Sequence, residues 1–185
     1  MWINGPFGAG KSTVTDELVR TVKKIIMFDP EEVGFHLRQW VPMPASEDFQ
    51  DLGCWRDLVG QSCAAFVRHY PDHLVVVPMT VVNDDYRREI FDIIHKSTDE
   101  VLHIWLSASR QTLTRRITDQ IMFPHDPERD AGVRAWRLAQ VDGAMACEKR
   151  LGPDTVVLPT DDASPWQLAE RILAEADRHA PRVTG

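Results

Sequence analysis

The chain has 185 residues, of which 43% are apolar and 26% charged, a composition typical of one globular domain spanning residues 1–185. Its formal net charge of −7 argues against a nucleic-acid-binding protein, because contact with a phosphate backbone requires a basic surface. The three cysteines lack the number and spacing of a disulfide scaffold or a zinc site, and no apolar run reaches the roughly 20 residues that span a bilayer. We therefore expect a cytoplasmic protein whose partners are small molecules. The composition is also compatible with peripheral contact with a membrane.

Five apolar segments that alternate with helical patterns predict an α/β fold. Strands are expected near residues 1–4, 24–28, 74–79, 101–106 and 155–158. The connections are too long for hairpins, which predicts helical crossovers and a five-stranded, mostly parallel sheet with a layer of helices on each face. A ligand is then expected in the crevice beyond the carboxyl ends of the strands.

A complete phosphate-binding pattern, G-x-x-x-x-G-K-[ST], follows the first strand and precedes a helical segment from residue 11 to about residue 22. Its glycines allow backbone amides and the positive end of the helix dipole to approach one anion. Lys11 is expected to reach the β- and γ-phosphates, Ser12 to coordinate Mg²⁺, and Thr13 to contact the α-phosphate. The predicted nucleotide-binding residues are Gly5, Pro6, Phe7, Gly8, Ala9, Gly10, Lys11, Ser12 and Thr13.

Asp29 follows the second strand and therefore lies near the phosphate-binding loop. Its carboxylate can take a proton from a substrate hydroxyl, or orient that hydroxyl, for attack on the γ-phosphate. Asp29, Pro30 and Glu32 also form a capping-box-like helix start, which by itself would explain these residues. The sequence leaves both interpretations open.

Residues 49–70 are apolar on one side and are expected to wall an acceptor pocket, with Trp55 and Arg56 as contacts; burial in the core is the alternative for the tryptophan. The candidate acceptor contacts are Asp29, Arg38, Trp55, Arg56, Thr80 and Asn83.

The third strand lacks the acidic residue that holds magnesium in many P-loop ATPases, which argues against a mechanochemical ATPase. No N-K-x-D element for reading guanine occurs, so ATP is the expected nucleotide.

Basic residues follow the fourth strand. Arg115 and Arg116 precede a segment, residues 121–132, that carries two prolines and is expected to be mobile, with a second helix beginning near Val133. Arginines on such a lid, approximately residues 115–137, would neutralise a transferring phosphoryl group and exclude water. The other arginines of this cluster are Arg129, Arg134 and Arg137; the alternative for all of them is surface solubility.

With these residues identified, the chain resembles the small P-loop kinases of the nucleoside monophosphate kinase and shikimate kinase type, and resembles the tunicamycin resistance proteins more closely. The closer resemblance rests on residues 2–12, on residues 29–34, on residues 48–51 with Trp55 and Arg56, and on residues 77–83. These segments cover the first half of the chain, and the second half matches only the general kinase plan.

The resemblance implies a P-loop NTPase fold with a five-stranded parallel sheet, a helical lid that closes over ATP, and a role in resistance to tunicamycin, a uridine-containing nucleoside antibiotic. It also implies that Arg116 contacts the nucleotide at the start of the lid, which completes a catalytic set with Lys11 and Asp29. Two functions follow as hypotheses: ATP-dependent phosphorylation of a small-molecule hydroxyl, or ATP-gated binding of the drug without covalent change.

Overall fold

The computed structural model describes residues 1–98 and 101–179. Its five strands form one sheet in the order β2-β3-β1-β4-β5, and every neighbouring pair is parallel. This confirms the predicted α/β fold with a five-stranded parallel sheet. The strands are β1 (Trp2–Asn4), β2 (Ile25–Met27), β3 (Leu74–Pro78), β4 (His103–Ser107) and β5 (Thr155–Pro159).

Eight α-helices and one 3₁₀ turn connect or follow the strands within the described residues. They are α1 (Lys11–Thr21), α2 (Pro30–Trp40), the 3₁₀ turn (Phe49–Asp51), α3 (Gly53–His69), α4 (Asp84–His95), α5 (Arg110–Asp119), α6 (Pro127–Ala139), α7 (Val141–Glu148) and α8 (Pro165–His179).

The core lies in two layers because alternate residues of a strand face opposite sides of the sheet. Ile3 of β1 packs with residues of α1, α5 and α8, whereas its neighbour Trp2 packs with residues of α3 and α4. The central strand β1 is buried on both faces. The loop that follows it is therefore anchored at the middle of the sheet edge.

Helix α6 begins at Pro127, six residues before the start near Val133 that the sequence pattern predicts. Asp126 caps it by accepting a hydrogen bond from the amide of Arg129 at 3.0 Å, and Pro127 occupies the first turn. Asp130, one turn into the helix, accepts hydrogen bonds from the amides of Met122 and Phe123 at 2.7 and 3.0 Å. These contacts tie the segment between α5 and α6 to the first turn of α6. The expected helix start near Val133 was therefore wrong, because residues 127–132 are already helical.

No helix within the two described parts of the chain is long and apolar enough to cross a bilayer.

Candidate functional site

The loop between β1 and α1 has the backbone conformation that its glycines were predicted to allow. Gly5, Gly8 and Gly10 have φ values of 141°, 81° and 99°, a region that side chains disfavour. A Cβ atom on Gly5 would lie 2.6 Å from the carbonyl oxygen of Leu106 in β4. Glycine is thus required at position 5 both for its conformation and for the close approach of the loop to the sheet.

A buried polar network fixes the start of this loop. The side-chain oxygen of Asn4 accepts hydrogen bonds from the amides of Gly5 and Val81 at 2.8 and 3.0 Å. Its nitrogen donates to the carbonyl of Val81 at 2.9 Å and to Nε2 of His103 at 3.3 Å, while Nδ1 of His103 lies 2.9 Å from the hydroxyl of Thr155. Burial, with a smaller effect of a nearby arginine, lowers the pKa of His103 to about 4, so the ring is neutral at pH 7 and can accept from Asn4. Sequence reasoning used Asn4 only as part of a strand and missed this role.

Lys11 points back into the loop. Its ammonium donates to the carbonyl oxygens of Gly5 and Pro6 at 2.8 and 3.0 Å. Burial lowers the pKa of Lys11 to about 7; the charge of Glu31 opposes this shift and that of Arg137 adds to it. A polyanion in the loop would restore the ordinary, charged state of the lysine.

A cavity of about 490 Å³ lies over the loop at the carboxyl edge of the sheet. Its wall contains most of the loop, the first turn of α1, the start of α2, part of α5 and α6, and the start of α8. The lining residues are Phe7, Gly8, Ala9, Gly10, Lys11, Ser12, Thr13, Val14, Asp29, Glu31, Pro78, Arg116, Gln120, Met122, Arg137, Ala163, Pro165 and Leu168. The structure thus brings together Lys11, Ser12, Thr13, Asp29 and Arg116, which the sequence predicted as one site.

Two carboxylates form the wall on the β2 side. Asp29 caps α2, since its Oδ1 accepts the amide hydrogen of Glu31 at 2.9 Å, which leaves Oδ2 without a hydrogen bond among the described residues. Burial raises the pKa of Asp29 despite that hydrogen bond. Burial and the charge of Asp29 also raise the pKa of Glu31. Both interpretations of Asp29 are therefore compatible, and Glu31, which sequence reasoning treated only as part of a helix start, joins the site.

Two arginines reach the cavity from α5 and α6. Arg116 donates to the carbonyl of Gly8 at 3.3 Å and to the hydroxyl and carbonyl oxygens of Thr160 at 3.1 and 2.8 Å. Arg137 donates to the side chain of Gln120 at 2.8 Å, lies 5.2 Å from the ring of Phe7, and has a buried Nε without a hydrogen-bond partner. These guanidinium groups add positive charge to the cavity next to the loop.

The remaining arginines of the predicted cluster do not line the cavity. Arg134 pairs with Asp130, and Arg129 lies 3.8 Å from the ring of Phe123, so both stabilise the segment before α6. Arg115 is exposed. The structure therefore divides the cluster, with Arg116 and Arg137 at the site.

Trp55 is a correction to the sequence-based prediction. It has none of its surface exposed, and its indole nitrogen donates to the carbonyl of Pro30 at 3.0 Å. A side chain in this position cannot contact a small molecule, so we assign Trp55 to the core between α2 and α3. Its size and its place on the apolar side of α3 gave no sign of which way it would point.

The other candidate acceptor contacts also have partners within the protein. Arg38 is exposed and bound to Glu47, and Asn83 caps α4. Thr80 donates its hydroxyl hydrogen to the carbonyl of Gly5 at 2.8 Å, so it supports the loop from β3. Arg56 lines a different recess, between α3 and α4. None of the four lines the cavity over the loop.

No family model and no curated protein matches the sequence. Among solved structures, the chain matches the tunicamycin resistance protein of Deinococcus radiodurans with a TM-score of 0.69 and 23% identity, over 95% of this chain and 94% of that one. A gluconokinase from Sinorhizobium meliloti matches with a TM-score of 0.62 and 15% identity, over 96% and 90% of the two chains. The APS kinase of Mycobacterium tuberculosis, in complex with AMPPNP and APS, matches with a TM-score of 0.60 and 15% identity over 95% of each chain. The chain therefore has the fold of the P-loop kinases.

Proposed function

We propose that this protein is an ATP-dependent phosphotransferase that acts on a hydroxyl group of a small molecule, and that its acceptor is a nucleoside antibiotic of the tunicamycin type. One observation carries the proposal: a single cavity is lined by the phosphate-binding loop with Lys11, by the carboxylate of Asp29, and by the guanidinium groups of Arg116 and Arg137. The match to a tunicamycin resistance protein supports the choice of acceptor. The proposal includes a cytoplasmic location, where ATP is available.

The order of the strands favours one orientation of ATP. Ala163, Pro165 and Leu168 follow the edge strand β5 and offer an apolar surface for the base, whereas Asp29 and Glu31 follow β2 on the other side of the loop. ATP that extends from the β5 side would place its γ-phosphate at Lys11 and toward Asp29. Arg116, which donates to Gly8 and Thr160, would then lie beside the phosphate chain of ATP.

The residues present fit a magnesium ion. The hydroxyl of Ser12 and the carboxylate of Glu31 are hard oxygen donors of the kind that this ion prefers, and they line the same cavity. Within residues 1–98 and 101–179 no cluster of three or more acidic, histidine or cysteine side chains could hold a metal, so the phosphates of ATP would have to supply the remaining ligands. Bound magnesium would neutralise charge on the β- and γ-phosphates.

Asp29 is the candidate base. The acceptor oxygen forms a bond to the γ-phosphorus, the bond from that phosphorus to the β,γ-bridging oxygen breaks, and ADP leaves with the electron pair. The proton of the acceptor hydroxyl passes to the Oδ2 of Asp29, while Lys11, Arg116 and Arg137 stabilise charge on the transferring group. Because the pKa of Asp29 is raised, its carboxylate is a stronger base than an exposed aspartate.

A mass spectrum of tunicamycin incubated with protein, ATP and Mg²⁺ tests the proposal. We expect drug heavier by one phosphoryl group, with transfer lost in Lys11→Ala and Asp29→Asn and retained in the matched variants Lys23→Ala and Asp126→Asn. Lys23 is exposed, and Asp126 caps α6 as Asp29 caps α2, so these controls repeat each chemical change away from the cavity. Unmodified drug under conditions in which ATP binds would contradict the proposal.

ATP-gated binding of the drug without covalent change is the second candidate. It is favoured by the hydrogen bond that ties one oxygen of Asp29 to the start of α2, because that bond by itself explains the residue. Asp29→Asn keeps the cap and removes the base, so it should abolish phosphorylation but leave ATP-dependent drug binding nearly unchanged. Catalytic turnover of the drug by the unaltered protein would exclude this candidate.

A further inference from the structure

Phe7 is the aromatic residue of the phosphate-binding loop, and the nucleotide-binding pattern does not account for it. The pattern leaves this position open, whereas it assigns the glycines, Lys11 and Ser12. The side chain of Phe7 is half-buried and lines the cavity over the loop. A phenyl ring has no hydrogen-bond donor for a phosphate, so its role depends on what it contacts within the protein.

Helix α6 meets the loop at this ring. The ring of Trp136 packs edge-on against Phe7, with the ring centres 5.2 Å apart and the planes at 61°. The guanidinium group of Arg137 lies 5.2 Å from the centre of the Phe7 ring, and the ammonium group of Lys11 lies 5.6 Å from it. One side chain of the loop therefore contacts two neighbouring residues of α6 and the lysine of the loop itself.

Arg137 is held by uncharged groups. It donates to the side-chain oxygen of Gln120 at 2.8 Å, its Nε is buried without a hydrogen-bond partner, and no carboxylate in the described parts of the chain forms an ion pair with it. Arg134, one turn earlier on α6, pairs instead with Asp130. An arginine that is paired with a carboxylate has to give up that contact before it binds another anion, which costs free energy. Arg137 has no such contact to break.

The charges around Arg137 indicate which phosphate it would meet. Burial lowers the pKa of Lys11 to about 7; the charge of Glu31 opposes this shift and that of Arg137 adds to it. Burial raises the pKa of Glu31, and Arg137 is among the cations that oppose this rise. Both effects require the guanidinium group to lie near the lysine, as does their contact with one ring. A lysine at this position of the loop binds the β- and γ-phosphates, so the arginine lies at the terminal end of the triphosphate.

We infer that Phe7 is a positioning residue, whose ring holds the guanidinium group of Arg137 beside Lys11 so that it meets the γ-phosphate of ATP. The face of an aromatic ring carries partial negative charge and attracts a guanidinium group without the full charge of a carboxylate. The edge contact with Trp136 orients the ring against α6. The inference rests on the proposed function for the presence of ATP in the cavity, and it adds the residue that orients the arginine.

The ratio of the affinities for AMPPNP and ADP tests this role, because the γ-phosphoryl group is present only in the first nucleotide. Titration calorimetry in the presence of Mg²⁺ gives both affinities and does not depend on phosphoryl transfer. Phe7→Leu, which keeps an apolar side chain and removes the ring, should lower the ratio about tenfold and change ADP affinity by less than about threefold. Phe7→Tyr keeps the ring and should keep the ratio within about twofold of that of the unaltered protein.

Two further variants separate positioning from packing. In the Arg137→Met background, Phe7→Leu should change the ratio by less than about twofold, because the ring acts through the arginine. Phe123→Leu removes a matched contact, since the ring of Phe123 lies 3.8 Å from the guanidinium group of Arg129 and neither residue lines the cavity. This control should leave the ratio unchanged.

The outcomes distinguish this inference from the proposed function. Equal losses of ADP and AMPPNP affinity in Phe7→Leu would overturn the inference, because they would assign the ring to the shape of the loop. A fall of the ratio that persists in the Arg137→Met background would overturn it as well. If the unaltered protein bound neither nucleotide, the proposed function and the inference would both fail. The expected ratios without phosphoryl transfer to tunicamycin would contradict only the phosphotransferase proposal and support the role of Phe7.

Discussion

Nucleotide affinity should fall as the pH rises above 7, because Lys11 is only partly charged in the free protein. Burial lowers its pKa to about 7, whereas a bound triphosphate would hold the lysine in its charged form across the alkaline range. The free protein must then take up a proton in order to bind. The sign is fixed by linkage: affinity is full below the lowered pKa and decreases as the pH rises through and beyond it.

The size of the effect follows from the fraction of charged lysine. With a pKa of about 7, that fraction is about one quarter at about pH 7.5 and about one hundredth at about pH 9. Affinity for MgATP should therefore fall about 25-fold between these conditions, which corresponds to about 1.9 kcal/mol. The phosphates of MgATP stay ionised over this range and do not contribute.

Calorimetry in two buffers with different ionisation enthalpies measures both the affinity and the number of protons taken up. We expect nearly one proton per nucleotide at about pH 9. Lys11→Met, which has a side chain of similar length without a titratable group, should bind more weakly at every pH and show no uptake. Affinity constant within twofold in the unaltered protein, or the same pH dependence in Lys11→Met, would refute the reasoning.

Three further predictions concern the structure around the site. Gly5→Ala should lower the free energy of unfolding by about 2 kcal/mol or more in urea titrations, because its Cβ would lie 2.6 Å from a carbonyl oxygen. Gly132→Ala, in α6 with open space around it, should raise the free energy of unfolding by about 0.5–1 kcal/mol. Equal effects of the two substitutions would contradict the geometry. Trp55→Ala should lower the free energy of unfolding by about 3–5 kcal/mol, because it removes a fully buried side chain. If the folded variant lost more affinity for the drug than for MgATP, Trp55 would be an acceptor contact instead. Asn4→Ala should cost about 2–3 kcal/mol and weaken MgATP binding, since backbone groups of the loop lose their partner; unchanged affinity would show that the network does not shape the loop.

The elements that the sequence predicted well depend on neighbouring residues. The phosphate-binding loop is contiguous, so its glycines, Lys11 and Ser12 could be assigned from spacing before the fold was known. The start of α2 at Pro30 was expected from the preceding Asp29. Asp126 and Pro127 give the same signal at the start of α6, and the misplaced start near Val133 came from overlooking it.

The elements that it predicted poorly depend on side-chain direction across the fold. Arg115 and Arg116 are adjacent, yet on a helix they point about 100° apart, and only packing against the sheet decides that Arg116 faces Gly8. Trp55 could wall a pocket or fill the core with the same sequence pattern, until α3 is placed on the sheet. Glu31 was not recognised as a site residue because acidic residues in the first turn of a helix already have a local explanation, their interaction with the helix dipole.

The position of β1 between β3 and β4 connects these observations to the direction of transfer. A loop that follows a central strand has neighbours on both sides, so one ligand can approach from β4 and β5 while another approaches from β3 and β2. Arg116, which binds Thr160 beyond β5, belongs to the first side, and Asp29, beyond β2, belongs to the second. Lys11 lies at the start of α1 between the two. Under the proposed function, the phosphoryl group would move across the loop from the β5 side toward the β2 side, which is where the carboxylates of Asp29 and Glu31 line the cavity.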